Sequence, residues 1–351
     1  MNRAKRPHHD RAGIRRPWLL LTLLALLLAG CGEQGSDAML RDYQTRLAEV
    51  LSTDAPARST PANIAAFPAY DERLFEIAES REGMLDVFAL RECHIANLVA
   101  GRNNQLGKVA LPSQRWIYEL ELWRRLSSCW NREVPQSLSD NSRERLATLT
   151  LTKTEQLPRV SWNALFASEE WVKNFSRASA PLSRDGLNEV ESRSAALRYL
   201  RKATLHQFDR QWRPDSAVLE GHLKTLQERP LSAELLRALL LTEQRLKEAS
   251  TLLEQALAGD AQQVCGALAR LDGTAEAQRL AHWLADLERG ARHWLGAIDA
   301  LFEVHVTATP AVADYRHAWL SLTHAEAPFP AFMAARERHA SLRDRIAEGC
   351  R

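Results

Sequence analysis

The sequence predicts an all-α protein, an irregular bundle of long amphipathic helices in one or two lobes, and three observations carry the prediction. The first is composition. Only 15 Gly and 14 Pro occur in 351 residues, while Leu, Ala, Arg and Glu dominate, so helix formers outweigh turn formers. The second is periodicity, because apolar residues recur three and four apart over stretches much longer than strands. The third is the scarcity of β-branched runs. With 45% hydrophobic and 26% charged residues, the chain is neither a disordered tail, a collagen-like repeat nor a polytopic membrane protein. It also lacks a repeat at the period of helical solenoids.

Residues 1–30 have the layout of a cleaved export signal. A basic region ends at Arg15-Arg16, and an apolar run follows from Trp18 to Leu28, interrupted only by Thr22. That run makes about 16 Å of helix, too short for a hydrocarbon core of roughly 30 Å. It therefore reads as a signal segment rather than a membrane anchor. Leu28-Ala29-Gly30-Cys31 resembles a bacterial lipobox. The resemblance implies thioether lipidation of Cys31, cleavage before it and acylation of the new amino terminus, and one acyl chain alone anchors only marginally. Gly32 in place of Asp is similar to lipoproteins sorted onward, so the expected location is the periplasmic face of the outer membrane. Residues 1–30 carry six basic side chains and one acid, which leaves 40 basic against 43 acidic in the remainder. The exported part therefore offers no net attraction for nucleic acid.

Residues 31–37 form a lipidated polar tether, and the helical body spans 38–351. The body's first helix places Leu40, Tyr43, Leu47 and Leu51 on one face. Pro56, Pro61 and Pro68 then mark 52–68 as an extended connection. Helical patterns follow at about 81–106, 113–131, 186–209, 215–228, 232–258, 276–304 and 329–348. Leu157-Pro158 and Ala180-Pro181 break the stretch 132–185, and 177–186 is the candidate lobe boundary. Trp116, Trp123 and Trp130 recur every seven residues, a stripe that reads as helix–helix interface or as a stacking surface for a ligand. His282-Trp283-Leu284 and His293-Trp294-Leu295 echo each other eleven residues apart, too far for their imidazoles to share a metal.

Beyond Cys31 stand Cys93, Cys129, Cys265 and Cys350. Four thiols in an exported chain allow three pairings, and proximity favours Cys93–Cys129 with Cys265–Cys350. A helix running to a stop near Gly107 places Cys93 about 21 Å from the turn, and a second starting near Ser113 places Cys129 about 24 Å from it. The two thiols then come level across an antiparallel hairpin. The alternative is free, buried cysteines acting as small hydrophobes.

The chain holds no HExxH, Gly-x-Ser-x-Gly, Ser-x-x-Lys, phosphate-binding Gly loop or dinucleotide fingerprint, so no catalytic residue, metal ligand or cofactor is assigned. The nine histidines downstream of Cys93 stand singly. His317 and His324, seven apart, face the same way on a continuous helix but too far apart to chelate together. The densest polar cluster surrounds one tight reversal: Arg102, Asn103, Asn104, Lys108, Gln114, Arg115 and Glu119. Its amides and guanidinium groups suit carboxylate, phosphate or carbonyl groups. A backbone reading accounts for the same residues: Asn103 and Asn104 end a helix, Gly107 is left-handed and Ser113 caps the next helix.

The stretch from Cys93 through NLVAGRNNQLGKVALPSQRWIYE to Cys129 resembles the domain-of-unknown-function 3080 family of Gram-negative lipoproteins. Lipobox, length and helix-rich remainder are similar too. The resemblance implies a mostly helical envelope lipoprotein and the Cys93–Cys129 pairing, and it carries over no activity. The function expected first is a non-enzymatic accessory or protein-interaction factor at the outer membrane, with envelope proteins as partners. The alternatives are a helical binding module for a small or lipidic ligand and, third, a periplasmic hydrolase using scattered carboxylates.

Overall fold

A computed structural model describes residues 35–78, 83–258 and 261–349. Cys31, most of the tether and Cys350 lie outside the described residues. Within them every regular element is helical. Helix α1 (Ser36–Leu51) buries Leu40, Tyr43 and Leu47 as its spacing predicts. The proline-bearing connection then crosses the body and sets Ile64 and Phe67 into the core.

The helix expected over about 81–106 is instead a set of short pieces. They are α2 (Met84–Ala89), a 3₁₀ turn (Arg91–Cys93), α3 (Ala96–Asn103) and a turn at Gln105–Lys108. The break falls at His94, whose φ is 55°. A non-glycine residue there costs roughly 1–2 kcal/mol, and two tertiary contacts hold it: the Cys93 bridge and the Arg125 guanidinium donating to the His94 carbonyl.

Helix α4 (Pro112–Trp130) starts with proline in its first turn, where no N–H is needed. Trp116 and Trp123 are buried, whereas Trp130 is 39% exposed, so two of the three indoles are core. The following helix, α5 (Asp140–Phe166), corrects the reading of Pro158 as a break. An internal proline costs about 3 kcal/mol, but Leu157, Val160, Trp162 and Leu165 are all buried around it. The burial of a leucine or tryptophan side chain contributes about 1.5–3 kcal/mol or more apiece, so packing outweighs the local penalty. Ser139 caps this helix, its hydroxyl accepting from Ser142 N. Segment 177–186 is largely exposed or half-buried, and Leu182 anchors it: that side chain is fully buried in the larger core and its N–H donates to Glu234 O.

Five of the remaining long helices lie close to their expected bounds: α6 (Val190–Leu205), α7 (Ser216–Glu228), α8 (Leu231–Leu257), α10 (Ala275–Phe302) and α11 (Pro328–Gly349), whereas α9 (Ala261–Asp272) falls in a gap between the patterns the sequence shows. The echoed histidine–tryptophan pairs now have an explanation. Trp283 Nε1 donates to Thr242 Oγ1 and Trp294 Nε1 to Ser232 Oγ. As one sequence position rises the other falls by nearly the same step, which is the register of two antiparallel helices. Both indoles are buried in the seam, while His282 is exposed and His293 turns to α6, its Nε2 meeting the Ser194 hydroxyl at 2.7 Å.

A second correction concerns His317 and His324, whose ring centroids lie 3.9 Å apart. The helix does not continue between them. A π turn at Arg316–Leu320 ends in extended Ser321, and the chain reverses. The apolar interior has two parts: a large core built on α1, α5, α8 and α10, and a small one holding Leu90, Cys93, Leu122, Leu126, Cys129 and Leu146.

Candidate functional site

The small core is incompletely filled. Helices α2, α3, α4 and α5, with Ile77 and Ala78, enclose a cavity of about 430 Å³, a size that suits small-molecule ligands. One wall is apolar, formed by Val87, Leu90, Ile95, Val99, Leu122 and Leu126, with Leu149 behind them. The amphipathic spacing of α2 explains its share, since Val87 and Leu90 face inward while Leu85 and Phe88 stand 84% and 63% exposed. The remaining wall is polar: Arg102, Asn103, Arg115, Tyr118, Glu119 and Lys153, together with Asp86.

The charges on that wall are unequally matched. Asp86 pairs with Arg145 at 2.6 Å. Glu119 pairs with Lys153 at 3.0 Å, both side chains being about nine-tenths buried. Arg102 donates to the Gly107 carbonyl and faces no carboxylate among the described residues. The Arg115 guanidinium has no ion pair there either, and its Nε is buried without an acceptor. Burial, reinforced by the neighbouring Glu119 charge and only partly offset by Arg102, pushes the Tyr118 phenol up to about 12. Tyr118 therefore stays protonated at neutral pH and can donate.

Of the seven residues singled out around the reversal, the structure brings four to the cavity: Arg102, Asn103, Arg115 and Glu119. Gln114 points elsewhere, donating to Ser216 Oγ and Glu220 Oε1 on α7. Asn104 serves the turn, its Oδ1 accepting from Gly107 N at 2.8 Å. The Lys108 side chain lies outside the described part. Gly107 does not take the left-handed backbone expected of it. Glycine is needed because a Cβ there would collide with the carbonyl oxygens of Gly101 and Arg102. Ser113 does not cap α4 either, since Leu111 holds the cap position and the Ser113 hydroxyl donates to Glu220. Sequence reading missed Tyr118, Lys153 and Asp86. Tyr118 was findable, three residues from Arg115 and so on its helix face.

The Cys93–Cys129 disulfide is formed, with Cα atoms 5.2 Å apart. It joins the 3₁₀ turn to α4 directly behind Leu90, Ile95, Leu122 and Leu126. Cys265 is disulfide-bonded as well, and its expected partner Cys350 lies outside the described residues. Reducing Cys93–Cys129 is expected to lower stability by about 3–4 kcal/mol, from the loop-closure entropy of its 36-residue separation. Guanidinium unfolding of the Cys93→Ser/Cys129→Ser chain checks this, and a loss below about 1 kcal/mol would contradict it.

Among the described residues, the two carboxylates at the cavity, Asp86 and Glu119, are paired with cations, and no group of three or more metal-ligating side chains occurs. The arrangement is equipped to hold a molecule having one apolar and one polar end. A family model described as "Protein of unknown function (DUF3080)" matches residues 40–350. No curated protein and no solved structure gives a significant match.

Proposed function

The chain belongs to the DUF3080 family, and from that premise we propose that it is a helical binding module for a small amphiphilic ligand, displayed in the bacterial envelope by a lipid on Cys31. The two-sided cavity carries the reading. An apolar wall buried at roughly 25 cal/mol per Å² of ligand surface supplies affinity, and the few polar groups of the remaining wall fix orientation. The disulfide fits an exported protein, and the Leu28–Cys31 lipobox supports attachment at the periplasmic face of the outer membrane.

The test is titration calorimetry of the full-length Cys31→Ser chain with dodecanol. Saturable one-to-one binding is expected, lost in Val99→Trp and in Val87→Trp, which fill the cavity from two helices, while circular dichroism is unchanged. No binding of dodecanol or of its carboxylate and phosphate counterparts, or binding indifferent to both fillings, would overturn the reading. Attachment has its own measurement: the mature natural product should begin at Cys31 and carry acyl mass, and an intact initiator methionine would refute it.

A second reading, an accessory factor that contacts envelope proteins, is favoured by one observation. Leu85, Phe88, Val109 and Leu111 are exposed large hydrophobics within the segment that walls the cavity, a pattern associated with interaction sites. A photo-crosslinker at Phe88 should then capture an envelope protein, and capture of none would remove this reading.

A further inference from the structure

We propose that the cavity selects single-chain amphiphiles whose head is an oxyanion, a carboxylate or a phosphate, seated between the Arg102 and Arg115 guanidinium groups. This rests on the reading of the cavity as a ligand site and adds the chemistry of what it takes. The inference comes from matching charges. Among the described residues three cations line the cavity (Arg102, Arg115 and Lys153) together with two acids, Asp86 and Glu119. Glu119 neutralises Lys153, and Asp86 is held by Arg145 from outside the lining. Two guanidinium groups are left facing the cavity without a carboxylate among the described residues.

Arg102 and Arg115 both line the cavity and have no ion pair among the described residues, and a ligand oxyanion would supply the missing counter-charge. Planar guanidinium donors match the two oxygens of a carboxylate or phosphate, with charge-assisted bonds about twice as strong as neutral ones. Asn103 and the protonated Tyr118 add neutral donors at the same end. A cationic head would meet two like charges there, and an uncharged hydroxyl would leave both guanidinium groups unmatched. The apolar wall runs away from this end along α2 and α4, and the enclosed volume of about 430 Å³ suits a single medium-length chain.

Four probes with one dodecyl chain separate the possibilities: dodecanoate, dodecyl phosphate, dodecanol and dodecyltrimethylammonium, each titrated into the full-length Cys31→Ser chain. One or both anions are expected to bind about tenfold or more tighter than dodecanol, with the cation weakest. The tighter of the two anions identifies the head. Arg115→Gln should remove that advantage, bringing the anions to the affinity of dodecanol measured on the same variant, and Arg115→Lys should restore part of it. Arg115 has no ion pair among the described residues, so circular dichroism of Arg115→Gln is expected to match the wild type; Arg102→Gln, which also loses the bond to Gly107, is the second variant. Equal binding of dodecanol and both anions overturns the head-group inference while the binding-module reading survives. Failure of all four probes overturns both. An anion preference that persists in Arg115→Gln and in Arg102→Gln also overturns the inference.

Discussion

Replacing Arg245 with methionine is expected to lower the unfolding free energy by about 3–5 kcal/mol, the cost of leaving a buried ion-pair partner alone. Arg245 is 2% exposed and belongs to α8. Its Nε donates to Asp37 Oδ1 at 2.8 Å, its Nη1 to Glu248 Oε1 at 3.0 Å, and its Nη2 to the Ser59 carbonyl at 2.8 Å. Burial alone would raise the Asp37 and Glu248 carboxyls, yet Arg245 and the hydrogen bonds around it hold both below the ordinary carboxylate range. Gln44 of α1 completes the knot by donating to the Arg245 carbonyl and to Glu248. One side chain of α8 thereby fixes the first helix. The double variant Arg245→Met/Glu248→Gln should recover a large part of the loss, because a buried pair replaced as a unit is often near neutral. Urea unfolding of the wild type, both single variants and the double variant measures the coupling. Strictly additive losses would show that the knot is not cooperative.

The same contrast between local pattern and distant contact explains which features could be read from the sequence. Helices α4, α8 and α10 were legible because their apolar residues keep one stripe over five or more turns, and that stripe is what the core buries. Helix α5 was not. Pro158 is a true local signal for a break, and only the burial of Leu157, Val160 and Trp162 overrides it. The fragmentation of 81–106 was also illegible, because His94 is left-handed through contacts with Cys129 and Arg125 that lie over thirty residues away. Cys93–Cys129 was nevertheless anticipated, although through a geometry of two long helices that the chain does not adopt. The reversal at 101–119 was recognisable as a polar site, and four of its residues reach the cavity. Lys153, which decides the charge balance by taking Glu119, could not be found from the reversal, since it sits on the helix the sequence appeared to interrupt.

Stability should fall steeply as pH drops from about 6.5 toward 4.5, before most carboxylates titrate. Burial pushes the His339 imidazole down to about 4 and His305 to about 3, and it lowers His222 as well. In each case the unfolded chain takes a proton near pH 6.5 that the folded chain refuses. Unfolding therefore binds protons in this window, and stability is lost on acidification and regained as pH rises. For His339, which is 4% exposed, the full loss by pH 4 is roughly 3 kcal/mol. His305 acts in the same direction, its Nδ1 being buried without a partner. The lowered carboxyls of Asp37, Glu121, Glu248 and Glu288 act on the same side but only below their ordinary range near pH 4. They thus leave the upper part of the window to the histidines. His339 joins three helices, since its Nε2 meets the Tyr43 hydroxyl at 2.8 Å and its Nδ1 the Ser250 hydroxyl at 3.4 Å. His339→Gln should start less stable at pH 7, where those bonds are lost, yet fall more slowly on acidification by about 1.4 kcal/mol per pH unit, one proton's worth. Urea unfolding at half-unit steps between pH 7 and 4.5 compares the two slopes. Parallel slopes for the two proteins would mean that His339 takes up its proton in the folded state, and that its burial does not govern acid stability.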